Sequence, residues 1–228
     1  LGFVVVTAAL FAREPALYPA KALVVVFVLV WGLRLAVHIS LRNLGRPEDF
    51  RYAKMRQNWG QAVLVKSFFF IFMLQGFLML VVSLPVTVVF GSPARPLGAL
   101  DIIGATVFVA GFLFEVVGDR QLAAHVRNPA NKGRLMTRGL WAATRHPNYF
   151  GEAALWWGMG LIALSSANGW IALIGPLTIT LLIVFVSGVP LLERKYAGRP
   201  DWEAYKAKTP MFFPRFPKKA RDGSAGAP

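Results

Sequence analysis

The 228-residue chain has no cysteine, which excludes disulfides, thiol nucleophiles and thiolate metal sites. Acidic residues are scarce. Eleven Asp and Glu stand against 25 Lys and Arg, a formal net charge of +14. Histidine is rarer still: His38, His125 and His146 fall in three separate segments, so no metal site is expected. There is no Gly-x-Gly-x-x-Gly after a strand-like run, no P-loop and no His-Glu-x-x-His, so the soluble dinucleotide, phosphate and zinc-hydrolase signatures are all missing. Excess positive charge can signal nucleic acid. Here the basic residues cluster between long apolar runs rather than forming a stripe interleaved with aromatics, which argues against that partner.

What is present is apolar length. Hydrophobic residues make up 56% of the chain, and mean hydropathy is +0.52. These values predict an integral membrane protein. A spanning helix needs about 20 mainly apolar residues. The candidates are 1–12, 20–41, 67–90, 99–119, 149–166 and 170–192. The first begins on Leu1 inside an apolar run with no basic leader, so it reads as the end of a helix rather than a signal peptide. Ser92-Pro93 with Pro96 separates two candidates. Ser165-Ser166-Ala167-Asn168-Gly169 divides the last two, since Asn-Gly suits a tight turn. Pro85, Pro176 and Pro190 fall inside predicted helices, where neighbouring helices tolerate a kink. The expected fold is all-α: a polytopic transmembrane helical bundle, with six helices in this chain, the first of them partial, and seven in the intact protein. A single domain is expected over 1–217, followed by a disordered basic tail at 218–228.

Lys and Arg alternate in density along the candidates. Segments 42–66 and 120–148 carry six each and the chain from 193 carries nine, whereas the intervening loops hold only Arg13, Lys21 and Arg95. The positive-inside rule therefore places the three basic segments and the C-terminus in the cytoplasm. Composition leans to a bacterial inner membrane.

Five clusters could carry chemistry. Arg145-His146-Pro147-Asn148-Tyr149-Phe150-Gly151-Glu152 stands at the mouth of 153–192, which holds no charge. Ionisable groups beside lipid are expensive and mark a site by default. Asn148, Glu152 and Trp156 share one helix face by spacing. The bland reading is an interfacial helix start with snorkelling side chains. Glu115 and Asp119 are one turn apart at the end of another helix, where the dipole disfavours anions, so they need a cation or a hydroxyl-rich ligand. Arg127, Lys132, Arg134, Arg138 and Arg145 form a cationic loop suited to phosphate or to anionic lipid. Arg34, His38 and Arg42 share a face of the second candidate helix, and a mixed-charge loop with Glu48, Asp49, Arg51, Tyr52 and Arg56 follows it. After the last span, Glu193, Arg194, Tyr196, Trp202, Tyr205 and the Pro210–Pro214 stretch could cap a pocket or line the interface.

At the octapeptide the chain resembles the steroid 5α-reductase C-terminal-domain family, in its bacterial branch. More distantly it is similar to the sterol reductases and the isoprenylcysteine carboxyl methyltransferases. Gly45-Arg46-Pro47-Glu48-Asp49-Phe50-Arg51-Tyr52, Gly118-Asp119-Arg120-Gln121-Leu122, Pro129-Ala130-Asn131-Lys132-Gly133 and Arg138-Gly139-Leu140-Trp141 extend the likeness over most of the chain. The resemblance implies an NADPH-dependent membrane reductase that transfers hydride to an activated C=C of a lipid-like or steroid-like substrate. It implies that Asn148 and Glu152 contact the nicotinamide or its ribose, with His146 also among the cofactor-binding residues. Glu115 and Asp119 would hold the adenosine side, Arg127, Arg138 and Arg145 would meet the phosphates, Lys132 is a further cofactor-binding candidate, and Arg194 and Tyr196 would close the pocket. Tyr149, His38 and His146 are the candidate proton donors. Two departures stand out. Ile39 occupies the place of the tyrosine that polarises a steroid carbonyl in the animal enzymes, and the Gln-Glu pair of those enzymes would precede Leu1. The alternative is an S-adenosylmethionine-dependent methyltransferase acting on a lipid or prenylated substrate. It shares the Arg-His-Pro-x-Tyr motif, but its cofactor has no phosphate and would be poorly matched to the cationic loop. A third class is a lipid-binding or scaffold protein without activity.

Overall fold

A computed structural model describes residues 1–45 and 50–216, with backbone alone for 50–52. Among the described residues every regular element is helical. The main elements are α1 (Gly2–Arg13), α2 (Pro19–Asn43), α3 (Ala53–Val82), α4 (Leu84–Phe90), α5 (Ala99–Arg127), α6 (Pro147–Leu164), α7 (Gly169–Tyr196) and α8 (Pro200–Lys208), with short helical turns at Pro129–Asn131 and Leu140–Ala143. Four of them, α2, α3, α5 and α7, are long and apolar enough to cross a membrane. The expected membrane helical bundle is therefore present. The expected tail at 218–228 and the motif residues Arg46–Asp49 lie outside the described residues, as do the side chains of Arg51 and Tyr52.

Helix boundaries differ from expectation where polar residues continue a helix beyond its apolar part. α5 runs to Arg127 rather than 119, because Arg120-Gln121-Leu122-Ala123-Ala124 are strong helix formers. It stops before Asn128-Pro129, since the residue before proline avoids the helical region. α3 begins well before position 67 and ends at Val82, where Pro85 splits the expected 67–90 helix. α6 begins on Pro147, a favoured first helical residue. It is not among the four spans, because Asn148, Tyr149 and Glu152 make its first turns polar. In α7, Pro190 has no N–H for the carbonyl one turn back. The helix widens just upstream into a π-helical stretch, Leu182–Val186, and Ser187 N–H donates to Leu182 O at 2.8 Å.

The chain forms two compact units. Unit 1 comprises Leu1–Val109 and Leu155–Thr180. In it α2 buries Ala20, Val24, Val28, Trp31 and Gly32, a single stripe at helical spacing. Phe3, Trp31 and Trp156 form an aromatic cluster with centroids 4.8–5.4 Å apart. Close approach of α5 and α6 requires glycine: a Cβ on Gly158 would lie 2.6 Å from Gly104 O and Phe108 N. Arg95 grips Asp101 through two hydrogen bonds of 2.6 and 2.8 Å and donates to Ile162 O at 3.0 Å. Gly98 N–H completes the capping of that buried carboxylate. Unit 2 comprises residues 110–154 and the chain from Leu181 on. It contains the octapeptide.

Candidate functional site

In unit 2 the second half of α5 meets the first turns of α6 backbone to backbone. A Cβ on Gly151 would lie 2.5 Å from Glu115 N and Gly111 O, and one on Gly118 would lie 3.3 Å from Asn148 N. Small residues thus let the two helices touch, as in membrane helix pairs generally. The contact brings Asn148 to Asp119, with the amide Nδ2 donating to Oδ1 at 3.3 Å. Glu115 and Asp119 are both buried, at 3% and 9% exposure. The sequence spacing that paired these carboxylates is thus joined in space to the octapeptide.

The approach to α6 is fixed from two sides. On the α5 side, Trp141 Nε1 donates to Gly118 O at 3.1 Å, and Leu140 N–H donates to Gln121 Oε1 at 3.0 Å. Gly139 sits at φ +62°, and a Cβ there would strike the Gln121 amide. On the other side lies the C-terminal segment. Arg145 N–H donates to Pro210 O at 2.9 Å and Arg215 N–H to Ala143 O at 2.8 Å. Thr144 Oγ1 lies 3.2 and 2.9 Å from Met211 O and Phe212 O. Tyr205 donates its hydroxyl to Trp141 O, and burial pushes that phenol's pKa up. Phe212 and Phe213 cover Phe150, with centroids 5.7 and 6.2 Å away.

Arg145 is 7% exposed and fully engaged by the protein. Nε and Nη2 meet Glu193 Oε1 at 2.9 and 2.8 Å, and Nη1 donates to Lys206 O and Thr209 O at 3.2 and 3.1 Å. The Trp202 ring lies 5.7 Å from the guanidinium carbon. In this arrangement the Arg145 donors, expected to meet a phosphate, serve the fold. His146, also buried, has Nε2 3.1 Å from the same Glu193 oxygen, and Tyr149 stacks on its ring at 5.7 Å. Burial pushes the His146 imidazole below its usual 6.5. The hydrogen bond and charge of Glu193 oppose that shift, and the nearby Arg145 cation adds to it.

The other expected residues are also placed. Arg127, Lys132, Arg134, Arg138 and Arg194 are exposed on unit 2, and Glu152 is half-buried on α6. Tyr196 is half-buried, with Trp202 at 5.4 Å and the Arg199 guanidinium at 5.6 Å. His38 and Arg34 lie on α2 and belong to unit 1, as does Ile39, which is 40% exposed. No group of three or more metal-binding side chains occurs among the described residues. Sequence reasoning did not single out Glu193 as a partner of both Arg145 and His146. The only signal was its position as the first acidic residue after an uncharged run.

The family described as protein of unknown function (DUF1295) matches residues 1–209. Neither a curated protein nor a solved structure matches the chain.

Proposed function

We propose that the chain, which belongs to the DUF1295 family, is an NADPH-dependent membrane reductase of the steroid 5α-reductase type, acting on an activated C=C of a lipid-like substrate. One observation carries this reading: two buried carboxylates, Glu115 and Asp119, share a compact unit with an exposed set of cations, Arg127, Lys132, Arg134 and Arg138. Among the described residues no ion pair joins those four cations to a carboxylate. Carboxylates suit ribose hydroxyls and guanidinium forks suit phosphates, so the residues present fit a phosphorylated dinucleotide. They fit S-adenosylmethionine less well, because it brings a sulfonium cation and no phosphate.

In this reading Asp119 and Glu115 hold the adenosine side, and Asn148, bonded to Asp119, orients the first turn of α6 toward the nicotinamide half. Arg127, Lys132 and Arg138 take the phosphates. Arg194 and Tyr196 close the site from the end of α7. The cofactor would supply hydride, and the protein must then supply a proton to the neighbouring carbon or a hydrogen bond to the developing enolate oxygen. Tyr149 is the best donor, since a phenol keeps its proton at neutral pH.

The test uses purified protein in mild detergent. Denaturation and mass spectrometry identify the nucleotide that accompanies it, and NADPH affinity is then compared with that of the Arg127→Ala/Arg138→Ala variant. Loss of two charge-assisted contacts should weaken binding by roughly tenfold or more. Unchanged affinity would sink the assignment. Transfer of labelled methyl from S-adenosylmethionine to extracted lipid would put the methyltransferase reading first.

A further inference from the structure

Among the described residues, four buried side-chain polar atoms have no hydrogen-bond partner: Arg95 Nε, His146 Nδ1, Trp156 Nε1 and Ser166 Oγ. Three of these residues belong to unit 1, where aromatic packing or a bidentate ion pair surrounds them or they lie in a turn. His146 alone lies in the octapeptide. Its side chain is 4% exposed.

The other ring nitrogen fixes the chemistry. Nε2 lies 3.1 Å from Glu193 Oε1, and that oxygen also takes Nε and Nη2 of Arg145. A carboxylate beside a guanidinium is an acceptor only, so Nε2 must carry the hydrogen. Burial lowers the pKa of the ring from its usual 6.5 against the pull of Glu193, and the Arg145 cation adds to that lowering, which favours the neutral form at neutral pH. Nδ1 then holds a bare lone pair. Among the described residues it takes no hydrogen bond from any donor, and the next residue, Pro147, has no N–H to offer. The Tyr149 ring, 5.7 Å away and inclined by 17°, limits rotation of the imidazole. A buried acceptor without a donor is costly, so it marks a place where a ligand can supply one.

We propose that Glu193 locks His146 as the Nε2–H tautomer, so that Nδ1 is a dry acceptor for an N–H or O–H donor of the bound nucleotide. Glu193 is a positioning residue and His146 reads the ligand. The nature of the nucleotide rests on the reductase reading; the tautomer does not. The carboxamide of NADPH and its ribose hydroxyls both offer the required donor.

The first measurement is nitrogen NMR of the whole chain labelled at histidine, at neutral pH in micelles, with His146 assigned by its loss in His146→Gln. The expected spectrum has a pyridine-type Nδ1 and a pyrrole-type Nε2, and Glu193→Ala mixes the tautomers. A ring protonated on Nδ1, alone or on both nitrogens, overturns the proposal. The second measurement is NADPH affinity. His146→Gln keeps an amide toward Glu193 but removes the acceptor at Nδ1, and binding should weaken by roughly tenfold. His146→Asn returns an oxygen near Nδ1 and should stay within about threefold of the wild-type chain. Equal losses in the two variants, or none in His146→Gln, overturn the ligand contact. The 3-acetylpyridine analogue of NADPH separates the two donors. If the carboxamide is read, the analogue binds more weakly to the wild-type chain and loses nothing further in His146→Gln. If a hydroxyl is read, the histidine effect persists with the analogue. Should NADPH fail to bind the wild-type chain, the reductase reading fails and S-adenosylmethionine becomes the probe; if neither binds, the ligand half of the proposal falls.

Discussion

Arg145 joins three pieces of unit 2 with one side chain: the start of α6, Glu193 at the end of α7, and the carbonyls of Lys206 and Thr209 around the end of α8. Replacing it by alanine leaves Glu193 half-buried beside His146 without its cation, and leaves two carbonyls without donors. Breaking such a pair costs about 3 kcal/mol or more. Arg145→Ala should therefore lower the thermal unfolding midpoint in detergent markedly. Arg145→Lys should recover only part of that loss, because an ammonium cannot fork across Glu193 and two carbonyls at once. If Arg145→Ala instead weakened NADPH binding with the midpoint unchanged, the guanidinium would belong to the ligand and not to the fold. His146 gives a second residue-scale expectation. Its folded pKa lies below the unfolded value of 6.5, so the unfolded chain binds the more protons between the two values. Stability rises with pH wherever that holds. The contribution is complete above the unfolded value and declines as pH falls through it. Unfolding midpoints measured between about pH 5 and about pH 8 should drop on the acid side, and His146→Gln should flatten that part of the curve. Identical profiles for the two proteins would contradict a neutral buried ring.

At the scale of elements, glycine spacing explains how a helix bearing two carboxylates comes to lie against the helix of the octapeptide. Gly104, Gly111 and Gly118 on α5, and Gly151 and Gly158 on α6, recur every seventh residue. In unit 1 Gly158 meets Gly104, and in unit 2 Gly151 meets Gly111. A methyl at Gly158 would need backbone to move, so Gly158→Ala should destabilise by about 1–3 kcal/mol through overpacking. Gly76 on α3 is the control. A Cβ there meets nothing within 4 Å, and Gly76→Ala should be neutral or stabilising by up to about 1 kcal/mol. Detergent melting curves of the two variants would decide. Equal effects would mean that the glycines matter for helix propensity and not for contact. This contrast also shows what the sequence could and could not reveal. Hydropathy makes α2, α5 and α7 readable, because lipid rewards unbroken apolar length. Pro147 and the residues after it mark the start of α6. The extension of α5 to Arg127 is hidden, because helix propensity continues where hydropathy stops. Glu193 as the partner of His146 is hidden for a different reason. The two are 47 residues apart, and no local pattern reports a contact at that separation. The carboxylate face of Glu115 and Asp119 is legible as a helical spacing, while its contact with Asn148 becomes visible only once Gly118 is seen to admit α6.

For the whole molecule, the decisive property is which side of the membrane holds the cationic segments. The chain offers a direct way to ask, because it has no cysteine and every introduced thiol is its only one. Ala94 and Ala167 are exposed in loops that carry little charge, whereas Arg134 and Lys206 are exposed in the basic segments. If charge asymmetry sets orientation, Ala94→Cys and Ala167→Cys should react with a membrane-impermeant maleimide added to intact cells. Arg134→Cys and Lys206→Cys should react only after permeabilisation or in inverted vesicles. The functional stake is physical and not merely topological. Reduced pyridine nucleotides are held in the cytoplasm and do not cross a bilayer, since moving their phosphates through hydrocarbon is prohibitive. A cofactor site made from Asp119, Arg127 and Arg138 must therefore open to that side. Labelling of Arg134→Cys from outside intact cells would leave the cations facing a compartment without NADPH. The reductase reading would then be lost at the level of the whole molecule, whatever the local geometry of Asn148 and His146.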